Sequence, residues 1–314
     1  MATLKERLEA ELGDWQARLP DAWRPRFDGV ALDFDACDPR ATLDEGDRIW
    51  PQETNQGGAP GAHLFKACRD LAPEEVRVVI FGNDPYTRIG QATGRSFEQG
   101  DLAGWAADLA RPGRVSPSLQ SIICAAAATG PGADGYKLVD TTQAKPASGA
   151  PGSQPVWRCH VELARAIKDG AVDPPAPGGI FGHWAGQGVL WLNRTLTYTK
   201  WLDADQQDTH RASHQRLWAP FTERVLELLA DQARDHPIVV VLWGSSAADL
   251  AARLTALAAA RHAPPGNVRT VSTGHPQWPE GYFRIGNPLA KINAAIGDSG
   301  PAIDWSGAGA AGGD

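Results

Sequence analysis

Four short apolar runs limit what this chain can fold into more than any other feature. They read VRVVIF (76–81), GVLWLN (188–193), IVVVLW (238–243) and VRTVS (268–272). Each is rich in β-branched residues, and none is a clean alternation of apolar and polar. A strand of that kind belongs to a sheet covered on both faces. Between the runs lie patterns of helical period, such as HQRLWAPFTERVLELLADQA (214–233) and AADLAARLTALAAARH (247–262). Strands alternating with helices build parallel βαβ units. The expected fold class is therefore α/β, with three layers (α/β/α) around a central four-stranded parallel sheet.

The rest of the chain is arranged around that sheet. Leu4, Leu8, Leu12 and Trp15 recur at helical spacing, so residues 1–19 read as an amphipathic helix. Residues 20–62 are rich in Pro, Gly and Asp and are expected to wrap the surface. Residues 1–62 are thus taken as an N-terminal extension and 63–296 as the main domain. HLFKACRDL (63–71) reads as a helix leading into the first strand. The stretch from Gly130 to Pro155 is dense in Gly, Pro, Ala and Ser and reads as a long surface insertion. The tail 297–314 ends in SGAGAAGGD and is expected to be disordered.

Composition excludes several classes. No unbroken apolar run has the length of a membrane span, and the N-terminus lacks a basic-then-apolar signal pattern. Cys37, Cys68, Cys124 and Cys159 are scattered, without a C-x-x-C pair. That argues against a zinc or iron–sulfur site and for a cytoplasmic protein with free thiols. A formal net charge of −7 gives no bulk sign of a nucleic-acid partner. A local basic patch can still serve such a partner in an acidic protein.

In open parallel sheets, ligands bind beyond the carboxyl ends of the strands. Asn83, Asp84, Pro85 and Tyr86 follow the first run, and the loop GQATGRSF brings Phe97 nearby. Asn193 ends the second run. GSSA, with Ser245, follows the third, and TGHPQWPEG, with His275, follows the fourth. No nucleophile elbow and no GxxxxGK[ST] loop is present. Singly, each residue has an ordinary reading as a turn former, helix cap or core aromatic. Together they suit holding a flat, hydrogen-bonding ring and delivering water to it.

The strings themselves resemble the uracil-DNA glycosylase superfamily, most closely its uracil-N-glycosylase branch. GNDPYT and GQATGRSF (82–97) are similar to that branch's GQDPYH and GQA-x-G-x-SF. HWAGQGVLWLNRTLT (183–197), SPSLQSI (116–122), SHQRLWAPFTERVL (213–226), VVVLWGSSA (239–247) and GNPLAKINAAI (286–296) also have counterparts there, in the same order. The likeness runs from about 76 to 296 and implies a glycosylase that releases uracil from DNA and leaves an abasic site. Such an enzyme extrudes the nucleotide and reads its Watson–Crick edge in a pocket. By the resemblance, Phe97 would stack on uracil and Asn193 would read its N3–H and O4. Tyr86 would occupy the place of thymine's methyl group. Asp84 would hold the water and oppose the sugar cation, and His275 would donate to O2. No cofactor or metal is implied, and the partner would be uracil-containing DNA, bound by a monomer.

The departures are specific. Asn83 stands for the family's Gln, with its backbone expected at the uracil contact, and Thr87 stands for its His. HPQWPE replaces HPSPLS, so Gln277 stands for a phosphate-contacting Ser and the Leu wedge is missing. Two arrangements fit: Trp278 is the wedge, or Trp278 packs at home and Gln277 enters the gap. Ser116, Ser118 and Ser245 are the expected phosphate contacts, with Lys200, Arg211 and Arg284 as charge partners. The same residues leave two alternatives open: a glycosylase of shifted base specificity, and a silent binder of uracil-containing or abasic DNA.

Overall fold

The computed structural model of the chain describes residues 2–44, 46–51, 57–130, 159–199, 206–244 and 248–307. Its centre is a sheet of β1 (Val78–Gly82), β2 (Val189–Asn193), β3 (Ile238–Trp243) and β4 (Val268–Thr273). The spatial order is β2-β1-β3-β4, and every pairing is parallel. Val78 lies opposite both Val189 and Val239, and Gly82 lies opposite Asn193. This register brings the carboxyl ends of β1 and β2 level, so Asn193 stands beside the Asn83–Asp84 exit.

Successive residues of a strand point to opposite faces, and the apolar runs feed two separate clusters. Val79, Phe81, Leu190, Leu192, Val240 and Leu242 enter one. Val78, Ile80, Val189, Trp191, Val239, Val241 and Trp243 enter the other. The first face is covered by α1 (Leu4–Leu12), α4 (Gln207–Gln232) and α5 (Ala248–Ala260). The second is covered by α2 (Pro117–Ala127), α3 (Pro177–Ala185) and α6 (Pro288–Ile296). The result is the expected three-layer α/β/α arrangement. β4 departs from expectation. It is an edge strand, and Thr270 and Ser272 are exposed while Val271 and Thr273 are buried.

The N-terminal segment enters the core. Thr3 caps α1 by a reciprocal box: its hydroxyl accepts from Glu6 N, and the Glu6 carboxylate accepts from Thr3 N at 2.8 Å. Leu4, Leu8 and Leu12 are buried, as their spacing predicts. The helix stops at Leu12, and Trp15 sits in a following 3-10 turn. Phe27, within the expected surface wrap, stacks on Phe221 of α4 with ring centroids 4.6 Å apart. Trp15 packs edge-on against Phe27, Trp218 and Phe221. Full burial of an aromatic of this size stabilises by about 1.5–3 kcal/mol.

Two sequence expectations are corrected. Residues 63–71 form only a 3-10 turn at Lys66–Cys68. His63 N donates instead to Thr93 O at 3.0 Å, and Phe65 N donates to the His63 ring. A side chain at Gly94 would lie 1.9 Å from His63 O, so the two segments are fixed on each other. The tail from Gly297 is not free over its described part. Ile303 and Trp305 are buried in the second cluster, and Asn293 bonds Ile303 through both backbone groups. Residues 131–158, which hold nearly all of the expected insertion, and 308–314 lie outside the described residues. Among the described residues, no helix is long and apolar enough to cross a membrane.

Candidate active site

A cavity of about 220 Å³ opens at the carboxyl ends of β1 and β2. That is below the range of about 300–1,000 Å³ for drug-sized ligands and suits one small ring. Asn83, Asp84, Tyr86, Phe97, Ser118, Asn193 and His275 all line it. These residues, singled out in the sequence, therefore meet at one place. Arg95, Tyr198 and Arg211 line it as well.

The strand exit sets Asp84. Beyond β2, Arg194 N donates to Gly82 O at 2.8 Å and Thr195 N to Asn83 O at 2.9 Å. The ladder thus continues past the strand ends and holds the Asp84 backbone still. The Thr195 hydroxyl donates to Asp84 Oδ1 at 2.9 Å. Arg211 Nε lies 3.2 Å from Asp84 Oδ2. The carboxylate is 15% exposed, so both its charge and its orientation are constrained. Asn83 offers its carbonyl to Thr195, while the residue itself is exposed.

Asn193 forms part of the cavity wall. It is 3% exposed, and its carboxamide lines the cavity. The carboxamide passes over Gly82, where an added Cβ would lie 2.4 Å from Asn193 Oδ1. Only glycine leaves that space, which gives the family-like Gly before Asn83 a physical cause. A carboxamide on a cavity wall can donate to and accept from a ligand at once.

Tyr86 and Phe97 are held as a unit. The Tyr86 hydroxyl donates to Phe97 O at 3.1 Å and lies 2.7 Å from the Ser116 hydroxyl. Trp50 Nε1 donates to Tyr86 O at 2.8 Å. Burial raises the Tyr86 phenol well above its ordinary range, so it stays protonated. Phe97 has φ +62°, an uncommon conformation for a bulky side chain and one that marks strain kept for a purpose. Its ring meets Trp243 edge-on at 5.4 Å and lies 6.0 Å from the His275 ring.

His275 follows β4 in a self-contained turn. Gln277 N donates to His275 Nδ1 at 3.1 Å, and Trp278 N donates to His275 O at 2.8 Å. An Nδ1 that accepts leaves the proton on Nε2. Burial lowers the pKa of the ring, so the neutral form prevails. Gly244, with φ +90°, lets the end of β3 pass 3.3 Å beneath the His275 side chain, measured to an added Cβ.

The remaining expectations divide. The Ser116 hydroxyl is spent on Tyr86 and on capping α2 at Leu119 N, away from the place of a phosphate contact. Gln277 is exposed outside the cavity. Trp278 is 64% exposed, which removes the arrangement in which it packs at home. Ser245 and Lys200 lie outside the described residues. Sequence reasoning missed Thr195, Tyr198, Arg95 and Trp50. Only Thr195 left a signal, since it stands two positions after Asn193 along the same extended chain.

No family model matches the chain. The uracil-DNA glycosylase of Deinococcus radiodurans is 30% identical over 249 residues, covering 78% of this chain and 73% of that protein. The one of Agrobacterium fabrum is 30% identical over 252 residues, covering 78% and 75%. The one of Deinococcus deserti is 29% identical over 293 residues, covering 92% and 88%. Among solved structures, the wild-type UNG of Nitratifractor salsuginis has the same fold at 18% identity. It covers 98% of this chain and 99% of that one, with a TM-score of 0.55.

Proposed function

The chain belongs to the uracil-DNA glycosylase family, hydrolases of N-glycosyl bonds in DNA repair, and we propose the following course for its reaction. A uracil nucleotide is turned out of the DNA stack and its base enters the cavity at the sheet's carboxyl edge. The base lies against Phe97. Asn193 Nδ2 donates to uracil O4, and Oδ1 accepts from N3–H. Cytosine presents a donor at C4 and an acceptor at N3, so it meets Asn193 with both groups mismatched. Tyr86, locked by Ser116 and Trp50, fills the space that thymine's methyl group needs.

The bond between the sugar C1′ and uracil N1 then breaks. Its electron pair leaves with N1, and the negative charge spreads to O2. Neutral His275 donates through Nε2–H to that oxygen and stabilises the charge as it develops. Asp84 opposes the positive charge growing on the sugar and orients a water. The water oxygen bonds to C1′ and gives up one proton, the uracil anion takes up one proton, and the products are neutral uracil and an abasic site. Water rather than an amine attacks C1′ in this course, so the glycosylase is monofunctional. The side chains above fill each role without a cofactor or a metal. Trp278 enters the vacated stack. Ser118 and Gln277 face the backbone of uracil-containing DNA, which the protein binds as a monomer.

The observation that carries this reading is the Asn193 side chain, 3% exposed in the wall of one cavity with Tyr86, Phe97 and His275, whose Nδ1 accepts from Gln277 N. Matched oligonucleotides carrying uracil, cytosine or thymine at one position test it. Base release followed by alkali should appear with uracil alone. Release of another base at a comparable rate would overturn the assignment of Asn193 and Tyr86. Tight binding to uracil-containing DNA without release would point to the silent binder.

A further inference from the structure

The Asp84 carboxylate faces a conflict of charge. Its proposed task is to oppose a cation on the sugar, yet a guanidinium already lies 3.2 Å from its Oδ2. Two cations cannot both draw full stabilisation from one carboxylate. The geometry of Arg211 shows how the conflict resolves. Its closest approach is through Nε, and Nε forms no directed hydrogen bond. Arginine bound for structure prefers two parallel bonds to a carboxylate. The other arginine at the cavity is fixed differently: Arg95 is 3% exposed and bonds two carboxylates, Asp70 and Glu98, through separate nitrogens. The Arg211 side chain is 40% exposed, and among the described residues Asp84 is its one ion-pair partner. It stands near the start of α4, at the rim of the cavity where the DNA backbone must run if the base enters.

We propose that Arg211 is a transferable counterion. In the DNA-free protein it masks Asp84. When DNA docks, the guanidinium passes to a backbone phosphate beside the extruded nucleotide and leaves the carboxylate open to the sugar cation. A phosphate offers the fork geometry that arginine matches, and the cation stays paired throughout. Arg211 is thus a positioning residue that couples binding to exposure of the catalytic charge. The inference rests on the glycosylase reading of the site.

The test is single-turnover release of uracil by the full chain and by its R211A and R211K variants. The substrates carry an uncharged methylphosphonate at each phosphate flanking the uracil in turn. The wild type should bind more weakly when one particular phosphate is neutralised. R211A should show the weakened binding on unmodified DNA, no further penalty at that phosphate, and a salt slope smaller by about one. Its loss should lie in the half-saturating DNA concentration, not in the maximal rate. R211K should recover part of the binding. If R211A suffers the full methylphosphonate penalty at every position, or if its maximal rate alone changes, Arg211 stays on Asp84 and the inference is wrong. No uracil release by the wild type would overturn the reading of the site and this inference together. Release with an uncoupled Arg211 overturns the inference alone.

Discussion

The two sides of the cavity are built differently. The Asp84–Tyr86 corner is braced from remote parts of the chain. Thr195 holds the carboxylate from a position 111 residues away, Trp50 holds the Tyr86 carbonyl, and Ser116 holds its hydroxyl. The His275–Trp278 turn is braced by itself, with Gln277 N on the ring and Trp278 N on the carbonyl. One side depends on the whole fold for its geometry. The other is a local turn that carries a proton donor inward and presents an exposed tryptophan outward. A pocket that discriminates between bases needs the first kind of construction, because a small shift there admits the wrong ring. A wedge needs only to be apolar, large and free, so a local turn suffices.

This contrast can be broken by substitution. His275→Ala removes the proposed donor toward O2 and should lower the maximal rate by about 10²–10³-fold, read in single-turnover assays on folded protein. A loss confined to binding would remove that role. Trp278→Ala should act on the outer face alone. A loss of about tenfold on duplex DNA is expected, as unstacking costs a few kcal/mol, with single-stranded DNA much less affected. An equal loss on both would sink the wedge. Trp50→Phe removes one donor from the braced corner. It should weaken the rejection of thymine by a few-fold while uracil release persists, because a single hydrogen bond contributes about 1 kcal/mol. Unchanged discrimination would mean that Ser116 holds Tyr86 alone.

The smallest effect lies behind the pocket. His214 sits between the hydroxyls of Thr197 and Thr199 at 2.9 and 2.6 Å, and burial pushes it down to about 3 from its ordinary 6.5. Between those two values the unfolded chain holds a proton that the folded protein refuses. Stability therefore falls as pH drops through that window, by up to about 1.4 kcal/mol per pH unit from this one group. Urea melts at pH 7 and pH 5 should show the fall, and His214→Gln should flatten it. An identical slope in the variant would assign the acid sensitivity to other groups.

Much of this was legible in the sequence, for a physical reason. A strand covered on both faces is written as a β-branched run, and the carboxyl ends of parallel strands converge. Asp84, Asn193 and His275 could therefore be placed together before any coordinates. The bracing residues could not. Thr195, Arg211, Trp50 and Ser116 act through pairwise contacts between remote segments, and such contacts leave no period in the chain. The contact of Arg211 with Asp84 was hidden because the two stand far apart in sequence. Ile303 and Trp305 were hidden by their Gly- and Ala-rich neighbours, whose composition reads as disorder although two large side chains anchor the segment. The 63–71 segment shows the opposite error: a helical pattern was overridden by bonds to Thr93.

The central claim is that Asp84, held at the exit of β1, drives release of uracil from DNA. The measurement that tests it most directly compares wild type and Asp84→Asn on a labelled oligonucleotide with one uracil, single-stranded and paired with G or A, followed by alkali. The variant keeps the size of the side chain, and Thr195 can still bond it. Cleavage at the uracil by the wild type, reduced at least about 10³-fold in folded Asp84→Asn, is the predicted result. Intact DNA with the wild type, or undiminished cleavage by the variant, would contradict it.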